Sequence, residues 1–259
     1  MSSQSVDMYE LRISLESVKQ LSDQDRFSYY LLGHIFNELM SLQKLVGFSF
    51  PKHDDHRAAR LRPEHAQAML LFRLACGKIW EATQTIRQNK SVASMLQNLV
   101  LPKLANGRER LRALNQAVND APWLSPLRNG MGFHYPAFQD WASLVAPNDS
   151  WEDDYVYLGK QSGNTFYDAS DTIAQAWMFS QYGLPKVADA VVPLLDQMID
   201  LLRLVNTFLE DALFTLIGDV FLNHDGSPRH IGKVRSPQHD VVSIPFWTAM
   251  HPPTDTHSA

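Results

Sequence analysis

Apolar residues recur at steps of three and four along several long segments of this chain, and this spacing commits much of it to helix. The clearest stripe consists of Leu32, Ile35, Leu39, Leu42 and Val46. Residues at this spacing share one face of an α-helix, which buries that face against a core. Ser22, followed three residues later by Asp25, marks the start of this helix, and Gly47 marks its end.

The same spacing predicts about five or six helices in all. The others are a long helix from Pro63 to about Asn89, shorter helices near 108–119, 137–146 and 168–181, and a long helix at 187–219. Proline suits the first turn of a helix, so Pro63 is placed there. Pro193 falls inside the last segment and is expected to kink or break that helix.

Three stretches depart from the helical pattern. Residues 9–14 alternate as in a short strand, and residues 155–158 and 165–167 flank Ser162-Gly163-Asn164 as in a small hairpin. Residues 241–247 are expected to dock on the rest of the chain as an extended segment. The predicted fold class is therefore mainly α: a helical bundle with a small β-hairpin and an extended C-terminal segment.

Length and composition fit one compact unit. A chain of 259 residues can bury a sizeable core without disulfides or metals, and its 45% hydrophobic and 20% charged residues exclude a disordered or fibrous chain. Residues 1–147 are assigned to the bundle, and residues 148–259 to the hairpin and the long helices packed on it. The only cysteine, Cys76, excludes an intramolecular disulfide and lies in an apolar run, so we expect it to be buried.

The chain shows no targeting pattern. Its first residues lack the basic and apolar regions of a signal peptide, and charged side chains interrupt its most apolar stretch, residues 187–221. We therefore expect a cytoplasmic protein that does not cross a membrane.

Charge is distributed unevenly. The net charge of −5 argues against a protein that coats nucleic acid by bulk charge. Residues 51–130 nevertheless carry a net charge of +7, whereas residues 131–259 carry −10. Two interpretations are open: the basic third faces a polyanion, or its side chains pair with acidic helices elsewhere in the fold.

One short segment, residues 126–136, combines the side chains that phosphodiester chemistry needs. Arg128 can neutralise and orient a phosphate through bidentate hydrogen bonds. His134 titrates near neutral pH and can move a proton. Asn129 can fix an imidazole or hold a phosphate oxygen. This set of groups requires neither a metal nor a cofactor.

The segment resembles the Arg-polar-x-His signature of the HEPN superfamily (higher eukaryotes and prokaryotes nucleotide-binding domains). Asn129 occupies the polar position, and five residues separate Arg128 from His134. The resemblance covers roughly residues 23–147 and implies an all-helical domain. Gly130, Gly132 and Pro136 depart from it, because they would make the helix that carries the motif short.

The resemblance also implies a function. Families with this signature include metal-independent ribonucleases of toxin–antitoxin, phage-defence and CRISPR-associated systems. Two protomers would join their motifs at a homodimer interface, and an antitoxin or another operon partner is possible. Arg128 would stabilise the phosphorane charge, and His134 would act as the general base or acid. Asn129 would complete the catalytic set.

Other interpretations of the same residues remain open. In the alternative, Arg128 and Asn129 cap helix ends and His134 packs among aromatic residues, which would make the protein a non-catalytic helical module that binds nucleotides or proteins. His53, Asp54, Asp55 and His56, with His65 nearby, could ligate a divalent metal, although a solvated loop is the expected state of such adjacent donors. Glu38 and Glu81 are interpreted as surface or helix-pairing residues that would support the Arg–His site if the bundle brought them to it.

Overall fold

A computed structural model describes residues 3–129, 135–145, 154–160, 163–180, 187–218, 228–237 and 241–248. The mainly α fold class is confirmed, with two small two-stranded sheets beside the helices in the described residues. The helices are α1 Leu15–Lys19, α2 Asp23–Ser49, α3 Ala58–Gln88, α4 Lys90–Met95, α5 Gly107–Asn119, α6 Leu124–Leu127, α7 Phe138–Val145, α8 Asp168–Ser180 and α9 Val187–Leu216. A π-helical turn, Leu96–Val100, continues α4. The expected five or six helices are too few, because α1, α4 and α6 are too short to show an apolar period.

Helix α2 begins where its capping residues predict. The Ser22 hydroxyl accepts a hydrogen bond from the backbone N–H of Asp25 at 3.1 Å and donates one to the Asp25 carboxylate at 2.6 Å. The side chain therefore satisfies a backbone donor that the first turn leaves without an intrahelical partner. Leu32 and Leu39 of the predicted stripe are buried, which confirms the face that α2 presents to the core.

Helix α3 begins at Ala58, five residues before the predicted start at Pro63. A proline inside a helix has no N–H to donate to the carbonyl four residues earlier, which here is that of Ala59. The indole Nε1–H of Trp247 donates to the Ala59 carbonyl at 2.9 Å instead. The helix thus tolerates Pro63 because a side chain far along the sequence replaces the lost hydrogen bond. Helix α9 likewise continues through Pro193, so the predicted break is absent.

The predicted hairpin is confirmed. Strands β2 (Val156–Leu158) and β3 (Thr165–Tyr167) pair antiparallel, and Gly163 between them has a positive φ of 86°. Gly159 is required by close packing, because a Cβ there would lie 2.5 Å from the Cβ of Asn164. Ser162 of the predicted turn lies outside the described residues.

The second sheet was only partly predicted. Strand β1 spans Ser3–Glu10 rather than residues 9–14, and it pairs antiparallel with β4, Arg229–Pro237, in a stretch for which no strand was predicted. The two strands form an exposed ribbon with a register shift between Met8 and Tyr9. Such a ribbon has no buried face, so the sequence carries little of the alternation that would reveal it.

The C-terminal segment, residues 241–248, docks as expected. The backbone N–H of Ile244 donates to the Phe48 carbonyl at 2.9 Å, and the Gln67 amide donates to the Ile244 carbonyl at 2.9 Å. Asn164 exchanges two hydrogen bonds with the backbone of Thr248, at 2.7 and 3.1 Å. The segment therefore ties the hairpin to the adjoining ends of α2 and α3.

One apolar cluster joins the two halves of the chain. It contains Leu39 and Phe72 from α2 and α3 and Leu209 and Ala212 from α9, and α9 contacts α2, α3 and α5. Cys76 is fully buried in this cluster, as predicted, and burial raises the pKa of its thiol. Within the described ranges, no helix has the length and apolar character that crossing a membrane would take.

Candidate functional site

Arg128 stands at the end of the short helix α6, where its backbone is still helical. Its Nε donates to a carboxylate oxygen of Glu81 on α3 at 2.7 Å, and its Nη1 donates to the amide oxygen of Asn129 at 2.7 Å. The amide nitrogen of Asn129 reaches back to the hydroxyl of Ser125 at 3.5 Å. These contacts orient the Arg128 guanidinium from two sides.

Glu81 is the residue that fixes Arg128 to the bundle. The side chains of Arg128 and Glu81 are 30% and 45% exposed, so the pair lies at the surface and solvent reaches both charges. Glu38, the other carboxylate considered with it, contacts Lys78 at 2.8 Å and so joins α2 to α3. Both carboxylates were interpreted as surface or helix-pairing residues that could support the Arg–His site, and of the two it is Glu81 that forms an ion pair with Arg128 in the described residues.

His134 lies outside the described residues. Within the motif, the described residues end at Asn129 and begin again at residue 135. Arg128 and Asn129 are in contact with each other, and the catalytic roles assigned to Arg128, Asn129 and His134 stay predictions.

A groove of about 410 Å³ lies between α3 and the residues from the end of α5 to Ser125. Trp80 and Gln84, which flank Glu81 on α3, line it, as does Ser125, the residue that Asn129 contacts. Its other lining residues are Arg87, Gln88, Val118, Asn119, Ala121 and Pro122. We call it the Trp80 groove.

The polar groups of the Trp80 groove suit a polyanion with exposed bases. Arg87 donates through Nη2 to the amide oxygen of Asn119 at 3.1 Å, a neutral partner that leaves the positive charge of Arg87 in place. Trp80 is partly buried against the core, and the part of its ring that lines the groove can contact a base, while amide and hydroxyl groups can bond the base edges. The groove therefore offers aromatic, hydrogen-bonding and cationic groups.

The basic middle third of the chain pairs in part with acidic helices. Arg62 of α3 forms an ion pair with Asp168 of α8, and Arg110 of α5 forms one with Asp211 of α9. At these two positions, basic side chains of residues 51–130 therefore pair with acidic helices, as the second interpretation of the charge asymmetry expected. Arg87, by contrast, is bonded to an amide.

The loop before α3, where a metal had been considered, is an ordered hydrogen-bond network. The backbone N–H of Asp55 donates to His53 Nδ1 at 3.1 Å, which leaves the ring proton on Nε2, 2.6 Å from the Glu64 carboxylate. The Asp55 carboxylate accepts from Arg57 and Arg60. Its hydrogen bonds from the Arg57 side chain and backbone, and then that from Arg60, hold the Asp55 pKa well below its usual range. Over the described parts of the chain, no three potential ligands converge on a metal position.

Several residues near Arg128 were not predicted as functional. Ser125 and Arg87 gave no signal because their relevance depends on how α6 and the segment after α5 pack on α3. The i, i+3 spacing of Lys78 and Glu81 could have placed those two on one face of α3.

Comparisons of the chain with protein-family models, with curated proteins and with solved structures found no match.

Proposed function

We propose that this protein cleaves RNA without a metal ion, with Arg128, Asn129 and His134 in the catalytic site. The observation that supports this most directly is the guanidinium of Arg128, oriented by Glu81 and by Asn129, which in turn contacts Ser125 of the Trp80 groove. A guanidinium held in this way can stabilise the negative charge that develops on a phosphodiester in the transition state.

The proposed reaction is transesterification within the RNA strand. The ribose 2′-hydroxyl loses its proton to a base and attacks the adjacent phosphorus, and the bond to the 5′-oxygen of the next nucleotide breaks. That oxygen takes a proton, so the products are a cyclic 2′,3′-phosphate and a 5′-hydroxyl. His134 would transfer one of these protons, and Arg128 would stabilise the pentacoordinate phosphorane.

The Trp80 groove would hold the strand next to the scissile phosphate. Trp80 offers a surface for stacking a base, a contact that tolerates any sequence, and Arg87 offers a charge to the backbone. Following the resemblance to HEPN proteins, we propose that the active form is a homodimer in the cytoplasm, within a toxin–antitoxin, phage-defence or mobile-element system.

The test is cleavage of a mixed, end-labelled RNA pool in EDTA by the wild type and by Arg128→Ala, Asn129→Ala and His134→Ala. We expect cyclic phosphate ends from the wild type and a loss of at least about 100-fold in the Arg128 and His134 variants, the usual size of a general acid–base contribution. Arg112→Ala, an exposed arginine on α5, is the matched control and should cleave like the wild type.

Thermal unfolding of the same variants separates catalysis from a structural role. Under the proposed function, His134→Ala keeps the melting temperature of the wild type while losing activity. A loss of about 1–3 kcal/mol in the free energy of unfolding, together with unchanged cleavage, would make His134 a structural residue. Binding of the RNA pool without cleavage by the wild type would replace the enzyme with a non-catalytic binding module, a role that the exposed groups of the Trp80 groove also suit.

A further inference from the structure

A second cavity lies at the opposite end of α3 from Glu81. It has a volume of about 610 Å³ and is bounded by the start of α3, strand β2 and the C-terminal segment. This volume falls within the range of small-molecule sites. Glu64 and Glu81 are 17 positions apart on α3, which corresponds to about 25 Å of helix, so this cavity is separate from the Arg128 site.

Asp55 orients two arginines of the cavity wall. Its carboxylate accepts hydrogen bonds from Nε and Nη2 of Arg57, the latter at 2.6 Å, and from Nη1 of Arg60 at 3.2 Å. Arg60 is also held through Nε by Glu64 at 3.5 Å. Because one carboxylate fixes both guanidinium groups, a ligand would find them already in place and would lose less entropy in ordering them.

Two guanidinium nitrogens of this cavity have hydrogens to which the described residues offer no acceptor. No described residue accepts a hydrogen bond from Nη1 of Arg57 or from Nη2 of Arg60. The two oxygens of Glu64, in contrast, are both occupied, one by His53 and the other by Arg60. A ligand that bonds these two nitrogens must therefore bring acceptor atoms, and guanidinium groups favour anionic ones.

The rest of the wall is aromatic and apolar. Trp247 lines the cavity and is fixed by its hydrogen bond to the Ala59 carbonyl. Tyr157 lines it from β2 and stacks on Phe166, with ring centroids 6.4 Å apart. Leu158 beside it is 75% exposed, so apolar surface extends to the rim. Aromatic walls of this kind bind planar ring systems.

We propose that this cavity binds a planar aromatic anion. Its carboxylate or phosphate group contacts Arg57 and Arg60, and its ring contacts Trp247 and Tyr157. Two classes of ligand combine an aromatic ring with an anionic group in this way. One is an aryl carboxylate, and the other is a nucleoside monophosphate.

Calorimetric titration of the full chain tests this proposal with two anions and their neutral counterparts. The probes are indole-3-carboxylate with indole-3-carboxamide, and AMP with adenosine. We expect one-to-one binding of at least one anion with a Kd below about 1 mM, and binding of its neutral counterpart at least about tenfold weaker. Binding of the carboxylate alone identifies an aryl acid site, and binding of AMP alone identifies a nucleotide site.

Two variants test the assigned contacts. Arg57 is 80% exposed, so Arg57→Gln preserves the fold, and it should weaken binding by about tenfold. Trp247→Leu should weaken it by a similar factor through lost ring contact. Arg112→Gln on α5 is the control and should bind as the wild type does. Failure of both anions to bind, equal binding of the neutral counterparts, or equal effects of Arg57→Gln and Arg112→Gln would each overturn the proposal.

Discussion

The two ends of helix α3 each carry a glutamate bonded to an arginine, but their surroundings differ. At the start of the helix, the Glu64 side chain is 6% exposed and shares its carboxylate between His53 and Arg60. Towards the other end, Glu81 is 45% exposed and contacts Arg128 from α6. The Glu64 carboxylate is embedded in a network, whereas the Glu81 carboxylate is open to solvent.

The difference determines what a mutation can reveal at each end. A carboxylate taken out of water leaves uncompensated partners when it is removed, and this destabilises the fold. An exposed pair contributes little to stability because solvent screens its charges. Substitutions at Glu81 and Arg128 can therefore report on function with the fold intact, whereas those at Glu64 report on the fold.

The largest expected effect is that of Glu64→Ala. We expect it to lower the free energy of unfolding by about 1–3 kcal/mol, because the buried Glu64 carboxylate is the hydrogen-bond acceptor of both His53 and Arg60. Urea unfolding monitored by circular dichroism measures this loss. The control is Glu16→Ala, whose ion pair with Lys19 is exposed and whose removal should cost less than about 1 kcal/mol. Equal losses in the two variants would contradict the contrast between the ends.

The helices could be predicted from the sequence wherever the signal was local. The apolar stripe and the Ser22 cap are contained within α2 itself, and the structure confirms both. The first residue of α3 could not be predicted from a local pattern. Pro63 suggested a first turn, but the helix begins earlier because Trp247 satisfies the carbonyl that Pro63 leaves open. That hydrogen bond joins positions 188 residues apart, which no local pattern encodes.

The candidate site, like the helices, combines features that a local pattern predicts with features that depend on tertiary contacts. The chemistry of Arg128 and Asn129 was visible as a motif, since it depends on residue types at short spacing. The contact between Arg128 and Glu81 crosses 47 positions, so it follows from the packing of α6 against α3 rather than from either segment alone. The Trp80 groove depends on that same packing. A motif can therefore name candidate groups, but the side chains that orient them are set by the tertiary structure.

A smaller effect on stability is expected at the exposed end, with a larger one on activity. Glu81→Ala should change the free energy of unfolding by less than about 1 kcal/mol. Under the proposed function, its RNA cleavage should fall about tenfold, because the Arg128 guanidinium loses the partner that orients it. Glu81→Gln keeps an oxygen acceptor and should retain more activity than Glu81→Ala. Equal activity of the two variants at equal stability would show that Glu81 does not position Arg128.

The smallest expected effect is a change in how stability depends on pH. Arg57 and Arg60 hold the pKa of Asp55 below its usual range, so its ionised form is favoured by folding. A lowered folded-state pKa stabilises the protein above the unfolded-state value of about 3.9, and this contribution is lost as the pH falls through and below that value. Asp55→Asn cannot ionise, so its deficit relative to the wild type should be present at pH 7 and should shrink below about pH 4. Urea unfolding across this range measures the deficit, and a deficit independent of pH would show that the charge of Asp55 does not stabilise the loop. Since Asp55 also orients Arg57 and Arg60, the same variant should bind the aromatic anion more weakly, which links the order of this loop to the ligand it is proposed to hold.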